Sequence, residues 1–332
     1  MQLLRKLLFP ISLIYGLVVY VRNRFYDAGI LKSKVYSTPT ICIGNLSIGG
    51  TGKTPMVEFL IRILQENYSL AVLSRGYKRK TTGFIMANAN TKVKDIGDEP
   101  FQIHQKFPQV TVAVDADRRN GIEQLEKIIK PEIILLDDAF QHRRVKPSHS
   151  ILLSAYDNRY TNDWYLPTGD LRDSKYASKR SDLIVITKCP PSISEAERSI
   201  IHKQMNPAGY QKVLFSYLEY DNKLIGENST VELDFFVNKD ITLITGIANP
   251  KPLLNHLVVA GLTIKHLSFA DHHFFTEKEL GLFRTKKTII TTEKDYMRLQ
   301  GKVKNLYYLP IRHAFLPDDK AVIEKYLDSV MK

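Results

Sequence analysis

Two rhythms of apolar and polar residues alternate along this chain. Short, almost wholly apolar runs occur at Thr40–Ile43, Leu70–Ser74, Val110–Val114, Ile133–Leu136, Ile151–Ser154 and Leu183–Thr187. Their length and β-branched content predict strands buried on both faces. Between them, Pro55–Glu66, Glu99–Lys106, Arg119–Ile129 and Ser194–Asn206 carry apolar residues at helical spacing. Strands alternating with helices predict a doubly wound parallel sheet. The rhythm breaks at Pro207-Ala208-Gly209, after which Val213–Tyr220 reads as a strand leading away from the core. A smaller α/β unit follows: strand Ile241–Thr245, helix Lys251–Ala260, strand Thr263–Phe269, helix Thr276–Phe283 and strand Thr288–Thr291. Asn305–Ile311 predicts a further strand and Ala321–Lys332 a closing helix.

One apolar run fits neither rhythm. From Leu7 to Val21 there is no charge, while Arg5 and Lys6 precede the run and Arg22 and Arg24 follow it. It is shorter than the about 20 residues of a membrane-spanning helix. Bulky Tyr20, Val21 and Arg22 stand where a secretory signal would have small residues. Basic flanks and terminal tyrosines suit a segment embedded in one leaflet; a helix packed on the domain is the alternative, and full spanning stays open. The formal charge of +12 on 332 residues asks for an anionic partner. No helix-turn-helix, zinc finger or RNP-type sequence is present, so no nucleic acid is expected and a lipid surface is favoured. Cys42 and Cys189 lie in or beside strand-like runs without a partner at metal-ligand spacing, as reduced, buried thiols do.

The most specific chemistry follows the first strand. Ser47-Ile48-Gly49-Gly50-Thr51-Gly52-Lys53-Thr54 sits between an apolar strand and an amphipathic helix, the context of a phosphate-binding P-loop. Its glycines let the backbone curl with several N–H groups aimed at phosphate. Lys53 supplies charge for the β- and γ-phosphates of ATP, and Thr54 is placed for Mg²⁺. Ser47 stands where that motif usually opens with Gly. A second strand, Ile133–Leu136, ends in Asp137-Asp138, at the sheet edge where such enzymes keep the carboxylate that orients Mg²⁺. In Gly97-Asp98-Glu99-Pro100, Asp98 is either the N-cap of a helix or a catalytic base, and the residues alone leave both open. Asp271-His272-His273 lies in a loop, with no Cys and no third His spaced for zinc. Arg75, Arg118 and Arg172 lie near these motifs and have the guanidinium fork that fits phosphate, though each could equally serve a helix end or a surface carboxylate.

Read together, these motifs resemble the tetraacyldisaccharide 4′-kinases over nearly the whole chain. The resemblance runs through Leu13–Gly16, Gly44-Asn45, Ser74-Arg75-Gly76-Tyr77, Gly97–Pro100 and Asp117-Arg118. It continues through Asp137-Asp138-Ala139-Phe140-Gln141-His142-Arg143-Arg144, Leu166-Pro167, Gly169, Leu171-Arg172, Thr187–Pro190, Asp271-His272 and Thr291–Asp295. It implies transfer of the ATP γ-phosphate to the 4′-hydroxyl of a lipid A disaccharide precursor, with Asp98 as base and His272 as its orienting partner across a cleft between domains. It also implies Mg²⁺ held by Thr54, Asp137, Asp138 and Asp173. Ala139 stands where that family usually has Gly, and Asp173 where Glu is common. The expected organisation is a membrane-associated helical segment (1–35), a P-loop core of doubly wound α/β type (36–215) and a smaller α/β domain (216–332), the last strand and helix being free to return to the core. The lipid substrate places the enzyme at the cytoplasmic face of the bacterial inner membrane, with the membrane surface as partner and no obligate protein partner expected. A membrane-docked P-loop ATPase switch is the rival reading, but Ile48 stands where such proteins carry an extra Lys. Thr187-Lys188-Cys189-Pro190 likewise lacks the Asp of a guanine-reading loop.

Overall fold

A computed structural model describes residues 2–330; Met1, Met331 and Lys332, at the ends of the expected N-terminal segment and closing helix, lie outside it. The chain opens with α1 (Gln2–Leu7) and α2 (Phe9–Asp27), followed by β1 (Thr40–Asn45), α3 (Lys53–Leu64), β2 (Leu70–Ser74), β3 (Ile85–Met86), α4 (Val93–Ile96) and α5 (Asp98–Lys106). Then come β4 (Thr111–Val114), α6 (Arg118–Ile128), β5 (Ile133–Asp137), β6 (His149–Ala155), β7 (Leu183–Thr187), α7 (Glu195–Met205) and β8 (Lys212–Tyr220). These strands lie in a nine-stranded sheet ordered β15-β8-β7-β6-β1-β5-β2-β4-β3, in which β15 (Ile311–Phe315) comes from near the C-terminus. From β8 to β4 all neighbours are parallel; β3 and β15 close the edges antiparallel.

Alternation within the central strands feeds two cores. Ile41, Ile43 and Leu135 join Met56 and Leu60 of α3 and Leu327 of α11 (Pro317–Val330) on one face. Cys42 and Leu136 join Ile122 of α6 and Ile201 of α7 on the other. That is the two-sided burial the apolar runs demand. Because β1 pairs with β5, with Ile43 opposite Asp137, the glycine loop and the acidic pair leave the same edge of the sheet side by side. Strand order reverses around β1, which makes this edge the crevice where ligands bind in such sheets.

The second sheet has six strands, β10-β9-β14-β13-β11-β12. They are β9 (Lys223–Gly226), β10 (Thr230–Glu232), β11 (Ile241–Thr245), β12 (Ile264–Ser268), β13 (Thr288–Thr291) and β14 (Leu306–Tyr308), with α8 (Lys251–Val259), α9 (Glu277–Arg284) and α10 (Glu293–Leu299) between them. Two expectations change. Val213–Tyr220 does not lead away from the core: β8 pairs parallel with β7 through its first half and antiparallel with β15 through its second. Asn305–Ile311 is not one strand. The chain leaves the second sheet after Tyr308 and enters the first at Ile311, with Pro310 at the turn, where a missing N–H interrupts any ladder.

The N-terminal helix α2 is inverted relative to an ordinary surface helix. Its buried positions are Ser12, Gly16, Val19 and Asn23, one stripe at helical spacing, while Ile14, Leu17 and Val18 are each more than 60% exposed. Polar bonds hold the inner stripe down: Ser12 Oγ donates to Thr168 Oγ1 (2.8 Å), Tyr15 Oη to Arg172 O (3.1 Å) and Asn23 Nδ2 to Asp173 Oδ1 (2.7 Å). No described helix is long and apolar enough to cross a membrane.

Candidate active site

The loop after β1 is wound tightly around its own carbonyls and neighbours. Gly49 and Gly52 sit at φ 121° and 84°, the left-handed region that only glycine enters without strain. Asn45 Nδ2 donates to Thr51 Oγ1 (2.9 Å), Thr187 Oγ1 donates to Thr51 O (2.8 Å), and His313 Nε2 lies 3.0 Å from Gly52 O. His313 comes from β15, so the returning strand buttresses the loop. Burial lowers its imidazole to about 4, so it is neutral there and donates a hydrogen bond without adding charge. Ser47 faces away, its hydroxyl donating to Asp163 (2.9 Å), and Ile48 N donates to Asp170 O (2.7 Å). Lys53 and Thr54 open α3, where the unpaired N–H groups of a helix start favour anions.

The adjacent aspartates have separate surroundings. Asp138, itself at φ 47°, is paired with both Lys53 (3.8 Å) and Arg172, whose guanidinium also reaches the Asn45 side chain. Although burial opposes its ionisation, Lys53 and Arg172 outweigh that and lower its pKa. Asp137 accepts one bond from Ser74 Oγ (2.9 Å), and its buried Oδ1 has no hydrogen-bond partner. Burial, then the charges of Glu99 and Asp138, push Asp137 up to about 6. An orphaned buried carboxylate oxygen with like charges around it fits a divalent cation. Among the described residues no group of three or more His, Cys, Asp or Glu side chains could hold a metal by itself. Such a site suits an ion that keeps waters and takes its other ligands from phosphate, as Mg²⁺ does.

Asp173 is placed elsewhere. It is fully buried, and its oxygens are taken by Asn23 Nδ2 (2.7 Å), the Ser174 N–H (2.8 Å) and Arg180 (3.0 Å). The structure therefore pairs it with α2 and Arg180 and shows no contact with Asp137 or Asp138: both of its oxygens are engaged in tying α2 to the core. Arg118 also departs from the expected phosphate contact. It is 2% exposed and its guanidinium donates to the carbonyls of Asp115 and Asp137, which props the backbone of the acidic strand from beneath. Burial brings its pKa down to about 10, still charged at neutrality. Arg75 stands exposed at the end of β2.

A second cluster forms where the two sheets meet. Asp98 is the first residue of α5, not its cap: the cap position is Gly97, at φ 91°, where a Cβ would come within 2.8 Å of Tyr77 O. His272 Nδ1 lies 3.0 Å from Asp98 Oδ2, and the edge of its ring meets Tyr77 (centroids 5.3 Å apart). Lys294 Nζ donates to His272 Nε2 (2.9 Å) and to Glu99 (3.1 Å), which puts the ring proton on Nδ1, facing Asp98. Arg298, one turn further along α10, pairs with Asp98 and with Asp295 (3.0 Å). Burial disfavours the Asp98 carboxylate, but His272, Lys294 and Arg298 together hold its pKa well below the usual carboxylate range. His272 has φ 60°, a strained setting for a non-glycine residue, and Gly246 O holds its N–H (3.1 Å). The loops after β11, β12 and β13 thus supply Gly246, His272 and the α10 cations from one edge of the second sheet.

Glu99, Lys294 and Arg298 were not singled out from the sequence. Glu99 and Lys294 lie inside motifs already marked; Arg298 carries no signal beyond its place one helical turn after Lys294.

The model of the family described as tetraacyldisaccharide-1-P 4′-kinase (LpxK) matches residues 4–332. The tetraacyldisaccharide 4′-kinase of Flavobacterium johnsoniae is 46% identical over 322 residues, covering 95% of this chain and 94% of that one. That of Bacteroides thetaiotaomicron is 46% identical over 316 residues, with 89% and 83% covered. Among solved structures, LpxK from Aquifex aeolicus in complex with ATP superposes with a TM-score of 0.82 at 28% identity, across 99% of this chain and all of that one.

Proposed function

This chain belongs to the tetraacyldisaccharide 4′-kinases, and from that membership and the geometry of the crevice we propose how its residues divide the work. The enzyme transfers the γ-phosphate of ATP, with Mg²⁺, to the 4′-hydroxyl of the tetraacylated disaccharide 1-phosphate from which lipid A is made. Phosphoryl transfer needs little covalent chemistry from the protein, so positioning and charge neutralisation carry most of the rate. The backbone of residues 47–54 and the Lys53 ammonium cradle the phosphates. Asp138 holds Lys53 and Arg172 in place until phosphate oxygens replace it. Asp137 Oδ1 and the Thr54 hydroxyl are the groups that would hold Mg²⁺, which draws charge from the phosphates when bound.

Asp98 accepts the proton of the sugar hydroxyl. Its low basicity is no obstacle when proton removal is late, because the departing proton is by then strongly acidic. His272 fixes the carboxylate's direction. The observation that carries this reading is that Asp98 and His272, 174 positions apart, meet at 3.0 Å across the two sheets. We assign the nucleotide-binding domain to the first sheet and a base-orienting domain to the second.

The lipid surface is proposed to lie against α2. Its inverted amphipathicity supports this, as do Trp164 and Tyr176, both more than half exposed; Trp164 meets Phe9 edge-on at 5.3 Å. A helix packed as an ordinary part of the core would turn those apolar residues inward. The protein then works at the cytoplasmic face of the inner membrane, where the acyl chains of its substrate stay. Incubation with labelled ATP and tetraacyldisaccharide 1-phosphate, followed by thin-layer separation, tests the activity; label that appears only as free phosphate would sink it. Deleting residues 1–27 should release the protein from vesicles of inner-membrane composition and raise KM for the lipid while ATP affinity holds; unchanged flotation would remove α2 as the anchor.

A further inference from the structure

Helix α5 is tied at both ends. Asp98 at its start meets Lys294 and Arg298 of α10. Lys106 at its end is sunk between two carboxylates, its Nζ donating to Glu58 Oε2 (2.7 Å) and lying 2.8 Å from Glu293. Glu58 is 2% exposed on α3, the helix that Lys53 and Thr54 begin, and also accepts from Gln102 Nε2 (2.8 Å). Glu293 is 5% exposed and opens α10, immediately before Lys294. One ammonium therefore joins the helix of the phosphate loop, the helix of the base and the helix that supplies the base's cations. None of these three side chains belongs to the nucleotide loop or touches Asp98.

Stability alone does not account for this arrangement, since apolar side chains of similar volume often serve a buried site as well or better than charges. Burial and the Glu58 charge push Glu293 up to about 7 in spite of Lys106 and Arg62. Glu293 thus has a raised folded-state pKa, and its contribution to stability is lost as pH rises through about 7, so its charged form is a cost at neutrality. The groups facing it are Glu58 and Arg62 of α3, Lys106 of α5 and Tyr308 of β14. What the three charges do supply is a single fixed point shared by three helices.

We propose that Glu58, Lys106 and Glu293 form a positioning triad that sets the Asp98 carboxylate relative to the phosphate loop. The inference rests on Asp98 being the base. Its test compares Lys106→Met, Lys106→Arg and the uncharged triple variant Glu58→Gln/Lys106→Met/Glu293→Gln, each with ATP affinity, melting temperature and turnover measured on the full chain. The triple variant should bind ATP within about twofold of the parent and melt no lower, yet lose about 10- to 100-fold in kcat, as a misplaced catalytic group does. A folded Lys106→Met should lose kcat to a similar extent, whereas Lys106→Arg, which keeps a cation between the two carboxylates, should retain most of the parental turnover. Should Lys106→Met fail to fold with two carboxylates left unpaired, the triple variant decides. Parental kcat in the folded triple variant overturns the proposal. So does a raised KM for ATP with kcat kept, and so does failure of the triple variant to fold, which would make the triad a requirement of the fold itself. Asp98→Ala run alongside separates the two readings: parental turnover there removes Asp98 as base, whereas an inactive Asp98→Ala beside a fully active triple variant removes only the triad.

Discussion

Asp137 and Asp98 are buried to similar depth, 2% and 7% exposed, and both stand at the carboxyl edge of a sheet or the helix start beside it. Desolvation pushes both toward the neutral acid. Around Asp137 the charges of Glu99 and Asp138 add to burial and outweigh Lys53, and it rises to about 6. Around Asp98, a histidine, a lysine and an arginine converge, and the carboxyl falls far below its ordinary range. Burial thus does not decide the sign of a shift; the partners do. A carboxylate left short of cations is prepared to receive one, while a carboxylate already surrounded by them is held in one orientation.

The largest effect should follow from removing the charge that serves the nucleotide side. Lys53→Ala is expected to reduce phosphoryl transfer below detection with the melting temperature kept; a folded variant with near-normal turnover would mean that this loop is not the nucleotide site. On the other side, Asp98→Ala and His272→Ala should each lower kcat by about 10²–10⁴. The double variant should cost little more than the worse single one, because residues acting as a unit are not additive. Losses that multiply would show that His272 works independently.

The opposite shifts can be tested by titration. Asp98 must be ionised to accept a proton, so activity is lost as pH falls through its pKa, which Arg298 helps to keep low. Arg298→Met should therefore move the acid limb of kcat/KM to higher pH; an unmoved limb would mean that Arg298 does not set the base. The smallest effect concerns Asp137 without nucleotide or metal. With a folded pKa raised from about 3.9 to about 6, its stabilising contribution is present below pH 4 and lost as pH rises through 6. Asp137→Asn should raise the melting temperature by a few degrees at pH 8 and by clearly less at pH 4.5, where only the first part of that loss has occurred. A lower melting temperature at both pH values would contradict the idea of an unpaired charge.

How far this contrast was legible in the sequence follows from what each side is made of. Lys53, Thr54 and Asp137 sit on contiguous motifs whose strand–loop–helix setting is readable locally, and parallel pairing of β1 with β5 does the rest. The Asp98 cluster is assembled from three segments, 97–99, 271–273 and 293–298, and no periodicity announces that they meet. Family resemblance supplied His272, but Arg298 is visible only once α10 packs against α5. Asp173 misled for the opposite reason. Its metal role came from the family resemblance, as a carboxylate at the position where Glu is common after Leu171-Arg172, and only the fold shows its side chain turned toward Asn23 and Arg180. The return of β15 depended on a break at Pro310 that the run of apolar residues concealed.

The bonds that fasten α2 have a consequence for how the enzyme meets its acceptor. Ser12, Tyr15 and Asn23 all end on the stretch 168–173, and Arg172 of that stretch grips Asp138 and Asn45 at the phosphate loop. On the membrane reading above, the lipid plane becomes a fixed coordinate of the catalytic centre. The helix then acts as a keel, setting altitude and tilt, where a flexible tether would only keep the protein nearby. An acceptor sliding in the bilayer arrives at constant height and with its headgroup already upright, so two translational choices remain where a dissolved sugar would have three, with most rotations settled beforehand. Part of the entropy cost of assembling the reactants is thereby met by the bilayer before substrate and enzyme touch.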